Sequence, residues 1–315
     1  MALADTLRAG SQHPLAWSCI VVLAELRDRF PALDSWVMQV QGLLNPRRVL
    51  LAAEDEALNL ACWSQDDWAL SNLVLPPDLC RFGQPLNREA LGETIADLLL
   101  EQGLSLPQVE VELLLPLTSC QWRLLEGAAS AALSCGAELR QLQPELGWSL
   151  AVQDSYLDLL PQPRPDSALV VGTDRLLLQA WVSTLEEADL PLRRAEWVLS
   201  AAWRGLRDSQ AGTDERLVWL VEQAGRWRLL LLRKGCPEFD FNLQSSEHSA
   251  LRHEVLELVE AWDPVGMPGW WITAAPEWQG YWGAEHDSRH GPLHSDAEMS
   301  LFELALTASR GRDDA

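Results

Sequence analysis

One pattern occurs twice in this chain and limits its fold more than any other feature. In residues 47–115 it runs "RRVLLAAE", "ALNLACW", "WALSNLVL", a helical stretch from about Asn87, then "VEVELLL". In residues 214–275 it runs "DERLVWLVE", "RWRLLLLRK", "PEFDFNL", the helical "SSEHSALRHEVLELVEAW", then "GWWITAA". The strands are short and apolar, and polar turns separate the first three, with Gly225 and Gly235 marking two of those turns. Phe239, Phe241 and Leu243 alternate with Glu238, Asp240 and Asn242, the period of a half-buried strand. Each helix presents one apolar face: Leu91, Ile95, Leu98 and Leu99 in the first, which Gly103 ends, and Leu251, Val255, Leu258 and Trp262 in the second. Ser245 or Ser246 is the expected N-cap of the second helix, with Pro264 and Gly266 as its stop. Such a β-β-β-α-β unit makes three antiparallel strands and a helical crossover to a fourth, parallel strand. The repeat is one of pattern, since the two copies share almost no residue identity.

Two such units facing each other across a cleft define the expected fold class: mixed α/β (α+β), the actin-like, duplicated ribonuclease-H-like fold. The expected division is a helical N-terminal extension over 1–45, broken at Pro31, and a first lobe over 46–116. A small inserted α+β subdomain follows over 117–165, then a β-α-β connection and the second lobe over 166–311. The insert reads as a strand "TSCQWRLLE", a small-residue helix "GAASAALSCGAELRQL", a strand or hairpin "GWSLAVQDSYLDLL" and a Pro-rich link. "SALVVGT" is then a buried strand. Thr173 or Asp174 caps a helix with Leu177, Trp181, Leu185 and Ala188 inward, and "LRRAEWVLS" is the next strand. Met38 lies just before the first repeat, which makes residues 1–37 a candidate over-extension of the chain.

Composition then removes several functions. The formal net charge is −22. A surface this acidic repels phosphate backbones and anionic lipid heads, which argues against nucleic-acid binding and direct docking on lipid. Lys234 is the single lysine among 24 basic residues and no Gly-rich loop precedes it, so no P-loop is expected. The apolar run from Leu15 to Leu26 has 12 residues, against about 20 for a bilayer span. With no cationic stretch before it and no cleavage site after it, neither a signal peptide nor a transmembrane segment is expected. Cys19, Cys62, Cys80, Cys120, Cys135 and Cys236 form no C-x-x-C pair, so reduced thiols in a cytoplasmic protein are expected. Sixteen tryptophans are scattered along the chain and are expected to fill core and half-exposed sheet positions rather than a ligand groove. His286, His290 and His294 fall at helical spacing beside Asp287 and Asp296, but Gly291-Pro292 breaks any such helix, so a polar loop and no metal are expected. Glu54, Asp55 and Glu56 read as a solvated turn rather than an acid/base pair. His13, His248 and His253 read as surface positions, and no catalytic residue is expected.

The stretch "ELRQLQPELGWSLAVQDSYLDLL", the run "EEADLPLRRAEWVLSAAW" and the closing "EMSLFELALTASRG" resemble the PilM family, the actin-like proteins of type IV pilus assembly. The resemblance covers roughly residues 47–311, with Asp189 where that family usually has Gly. The chain is more distantly similar to the cytoplasmic part of the type II secretion protein GspL. The resemblance implies a cytoplasmic scaffold at the inner face of the cytoplasmic membrane. Such a scaffold binds the short cytoplasmic tail of a PilN-like bitopic inner-membrane partner and couples the assembly platform to the pilus motor ATPases. An acidic surface suits a partner with a basic tail. The resemblance also implies where a nucleotide site would lie. In that family an Asp-x-Gly ends strand one of each lobe, the Asp holding a Mg²⁺-water shell and the Gly letting backbone approach phosphate, and a Gly-Gly pair passes the adenosine. The corresponding positions here are Leu51 and Ala53, Val221 and Gln223, and Ala274 and Ala275. A slip of one or two residues brings Glu54, Asp55 or Glu222 to the site, still without a glycine. The expectation is a pseudo-ATPase that uses no cofactor. Two alternatives stay open: a sugar-kinase-like phosphotransferase or ATPase of the same fold, and a type II secretion adaptor. The latter normally continues into a transmembrane helix and a periplasmic domain, whereas this chain ends at Ala315.

Overall fold

The computed structural model describes residues 46–54, 57–64, 67–81, 83–126, 154–160, 162, 167–208, 214–223, 225–274, 282, 293–294 and 300–310. The extension expected over 1–45, the small-residue helix expected over 127–142 and most of the His286–Asp296 loop lie outside the described residues.

The first repeat opens with β1 (Arg47–Ala53), β2 (Ala57–Ser64) and β3 (Asp67–Val74), an antiparallel meander. Two short strands, β4 (Cys80–Arg81) and β5 (Gln84–Pro85), lead to helix α1 (Arg88–Glu101). Asn87 caps α1 by accepting from the Ala90 N–H (3.2 Å), and Leu91, Ile95, Leu98 and Leu99 are its buried stripe. The chain returns as β6 (Val109–Leu115), parallel to β1. Next, β7 (Cys120–Glu126), β8 (Ser155–Leu160) and β9 (Ser167–Asp174) form a separate antiparallel sheet in the order β7-β9-β8.

Helix α2 (Arg175–Glu187), strand β10 (Leu192–Trp197) and helix α3 (Val198–Asp208) follow. Asp174 caps α2 through the Leu176 N–H (2.7 Å), and Asp189 just past its end takes φ +54°, the left-handed conformation in which Gly is favoured. The β-α-β connection expected at the start of 166–311 ends in β10, which is an edge strand of the first sheet, parallel to β6, in the order β10-β6-β1-β2-β3. The cause is the face of α2. Leu177, Trp181 and Leu185 are buried, Trp181 Nε1 donates to Gly83 O (2.8 Å), and a Cβ added to Gly92 of α1 would lie 2.8 Å from Thr184 O. A helix docked on α1 this closely delivers the next strand to the first sheet. Val198–Ser200, read as the end of that strand, instead begin α3.

The second repeat has β11 (Arg216–Gln223), β12 (Arg226–Arg233), β13 (Cys236–Asn242), helix α4 (His248–Trp262), β14 (Gly269–Thr273) and β15 (Leu293–His294), in the order β13-β12-β11-β14-β15. Its strand order matches that of the first sheet, with strand one flanked by strand two and the crossover strand. The N-cap of α4 is Glu247, without a side-chain bond, rather than Ser245 or Ser246. The helix steadies its own entry instead, since Glu254 accepts from the Gln244 and Ser245 N–H groups (both 3.2 Å). Helix α5 (Leu301–Arg310) packs on α3 almost backbone to backbone, so a Cβ on Gly205 would lie 2.1 Å from Leu304 O. Trp203 of α3 donates to Gly235 O in the β12–β13 turn (2.9 Å), tying this helix to the second lobe. Trp181, Trp197, Trp203, Trp219 and Trp270 are fully buried, so these five fill the core.

Candidate functional site

The turns that end strand one of each lobe converge. β1 leads to Glu54, whose N–H donates to Ala57 O (2.8 Å) across the β1–β2 turn. β11 ends at Gln223, paired with Arg226 across a tight turn in which Gly225 takes φ +74°. Gln223 Nε2 donates to Glu54 Oε1 (3.0 Å), and Gln223 Oε1 accepts from the Leu117 N–H (3.1 Å). Glu54 Oε1 also accepts from Asn59 Nδ2 (3.2 Å), and Asn59 Oδ1 accepts from Asn72 Nδ2 (2.6 Å). A continuous hydrogen-bond chain thus runs from β3, through both turns, to the β6–β7 connection. Arg228 of the second lobe takes the other side of that connection, donating from Nη1 to Leu117 O (3.1 Å).

Of the positions to which the sequence pointed, the structure brings Gln223 and Glu54 to this junction. Leu51 and Ala53 are buried, and alternation along β1 puts them on the face opposite Glu54. Ala52, on the same face as Glu54 by that alternation, is buried as well. Val221 is buried on the same face as Gln223, two residues before it. Glu222 points to the other face and closes its own turn, where its Oε1 accepts from the Gly225 N–H (2.7 Å). Ala274 is buried beside Thr273, whose Oγ1 accepts from Trp219 Nε1 (2.9 Å). Ala275 and Asp55 lie outside the described residues. Among the described residues, no group of three or more His, Cys, Asp or Glu side chains is placed to hold a metal ion.

Two grooves flank the three-stranded sheet, one along each edge. The first, of about 640 Å³, is lined by residues 156–160 of β8 and 194–197 of β10. Consecutive residues line it, so it follows strand edges rather than one pleated face, and β8 and β10 are edge strands among the described residues. Its walls are largely apolar, with Leu157, Leu159, Val171, Leu178 and Ala195 contributing. At one end Glu196 pairs with Arg194 and Arg204 and accepts from Ser200 Oγ (3.1 Å). Cys120 also lines it, and burial pushes that thiol up to about 11, so it is uncharged near neutral pH.

The second groove, of about 760 Å³, lies between residues 121–124 of β7 and 237–242 of β13, again edge strands. A charged network crosses it. Arg228 donates to Asp240 through Nε and Nη2 (2.6 and 2.5 Å), and Trp122 Nε1 donates to Asp240 Oδ2 (2.5 Å). The Arg228 guanidinium stands 4.7 Å over the Trp197 ring, and Trp122 meets Trp197 edge-on at 4.9 Å. Asp240, on the polar face of an alternating strand in the sequence, is thus the partner of a cation that is only 6% exposed. No local signal could have found this. Trp122 and Asp240 are 118 residues apart, and only the fold brings them together.

Two lobes with one strand order, helices at their junction and converging strand-one turns are the actin-like architecture. A solved structure described as the PilM–PilN type IV pilus biogenesis complex shares it, with a TM-score of 0.60, 15% identity, and coverage of 85% of this chain and 99% of that chain. A Bacteroides thetaiotaomicron protein described as having an actin-like ATPase fold and unknown function matches with a TM-score of 0.54 at 7% identity, covering 85% of this chain and 96% of that one. The cytoplasmic domain of EpsL, an inner-membrane component of the type II secretion system of Vibrio cholerae, overlaps more loosely, with a TM-score of 0.47 at 14% identity over 84% of this chain and 94% of that one. No protein-family model matches the sequence, and no curated protein matches it in a sequence search. At these identities the likenesses with TM-scores of 0.60 and 0.54 establish the fold, and it is the fold class expected from the repeat. Among the described residues no helix is long and apolar enough to cross a membrane.

Proposed function

We propose that this chain is a non-catalytic adaptor of a type IV pilus assembly machine, and that its β8–β10 groove captures the short cytoplasmic tail of a PilN-like bitopic inner-membrane protein. The observation that carries this reading is the groove: an apolar channel along two strand edges, in a fold shared with a PilM–PilN complex. An extended tail can add main-chain hydrogen bonds to such an edge while alternate side chains fill the apolar wall. The net charge of −22 favours a tail carrying basic residues and speeds its encounter. The same charge disfavours direct contact with anionic lipid, so the protein reaches the inner face of the cytoplasmic membrane through its partner. Motor ATPases are the further partners to which it couples.

In this reading no nucleotide takes part. A phosphate between the two turns would face the Glu54 carboxylate and displace a carboxamide that is bonded on both sides. A phosphotransferase would need a carboxylate free to act in the cleft, whereas Glu54 is held by Gln223 and Asn59 and Glu222 is engaged in its own turn. Affinity capture of the tagged protein from solubilised membranes of its host tests the adaptor reading. The expected result is a small bitopic inner-membrane protein with a short basic cytoplasmic tail, absent when Leu159→Arg blocks the groove. Recovery of soluble metabolic proteins alone would overturn it.

A further inference from the structure

We infer that Gln223 is a built-in latch: it stands between the two lobes, bonded to the strand-one turn of the first lobe and to the β6–β7 connection, and fixes the cleft in one arrangement. The inference deepens the nucleotide-free part of the reading above and does not depend on which partner binds.

The carboxamide works at both ends. Its Nε2 reaches the Glu54 carboxylate in the first lobe, a charge-assisted bond, and its Oε1 takes the Leu117 N–H. Leu117 is buried, so its N–H has no solvent to replace that acceptor. Both polar atoms of this peptide residue are claimed by side chains of one hairpin of the second lobe, the N–H by Gln223 and the carbonyl by Arg228. The β6–β7 connection they hold is itself stiff. Ser119 N–H and Oγ both donate to Pro116 O (3.0 and 2.7 Å), and Thr173 Oγ1 donates to Ser119 O (3.0 Å). Pro116 packs so tightly on Gly83 that a Cβ there would lie 2.0 Å from Pro116 Cγ. A bond to a stiff connection restrains the lobe as well as the loop. On the other side the latch continues through Glu54 to Asn59 and Asn72, so it is anchored in the meander of the first sheet.

Residue-resolved hydrogen exchange at the Leu117 amide tests this on the isolated protein, with neither partner nor nucleotide present. Gln223→Ala should speed exchange at Leu117 about five- to tenfold, the loss of one such hydrogen bond, while amides inside β12 stay protected. Gln223→Glu should do the same, because it sets two carboxylates against each other. The swap Glu54→Gln with Gln223→Glu rebuilds a donor at 54 and acceptors at 223, and should return Leu117 to wild-type protection. Unchanged exchange in a folded Gln223→Ala protein would overturn the latch, and so would a swap no better protected than Gln223→Glu alone. If Gln223→Ala does not fold, the near-isosteric Gln223→Glu and swap pair decides the matter. Failure of the adaptor reading would leave these exchange rates untouched.

Discussion

The two grooves border the same small sheet and differ in what fills them. Along β7 and β13, a buried arginine, an aspartate and an indole cross the gap and tie the inserted sheet to the second lobe. Along β8 and β10 the walls are Leu157, Leu159, Val171 and Ala195, with the ion pairs confined to one end. The first edge is committed to holding the molecule together. The second leaves apolar surface beside strand edges, and removing apolar area from water contributes roughly 25 cal/mol per Å², against which a complex must set the cost of association. A difference of this kind separates a structural seam from the groove proposed as the docking site.

Substitutions can sharpen or break that contrast. Arg228→Met should have the largest effect, about 3–5 kcal/mol of lost stability in urea unfolding, because Asp240 and Leu117 O lose a mostly buried cation. Adding Asp240→Leu should restore much of it, since removing both charges leaves no unpaired ion. A cost under about 1 kcal/mol for Arg228→Met would mean that the seam holds nothing. Trp122→Phe should cost less, about 1–2 kcal/mol, because the ring stays while the donor to Asp240 is lost. Leu157→Arg and Leu159→Arg should change stability by under about 1 kcal/mol yet abolish tail capture, since both side chains are only partly buried. If they destabilise as much as Arg228→Met, the open groove is core and the contrast fails. Millimolar MgATP should leave the melting temperature unchanged, whereas a ligand at a hundred times its Kd would add about 2.7 kcal/mol.

A pH dependence is also expected. Burial raises Cys62 and Cys120 from 9.0 to about 11, so the native state favours the protonated thiols. The stability they contribute is complete below pH 9 and is lost as pH rises through about 11. The urea midpoint should therefore fall across that window, and less steeply in Cys120→Ala.

Local chemistry explains what could be read from the chain. The helix start near Asn87, the cap at Asp174 (one of the two candidates), the Leu91–Ile95–Leu99 stripe and the Gly103 and Gly225 turns are encoded within a few residues and match the structure. What was missed is long-range. The place of β10 depends on α2 docking against α1, which periodicity does not report. The junction of Glu54 with Gln223 joins residues 169 apart, and a glutamine carries no mark of the bond it will make.

The most direct test is a calorimetric titration of a synthetic peptide, the cytoplasmic tail of the membrane protein captured by this chain, into wild type and Leu159→Arg. The adaptor account predicts saturable binding to wild type without nucleotide, unchanged by MgATP and lost in Leu159→Arg. Binding that requires MgATP, or that survives Leu159→Arg undiminished, would contradict it.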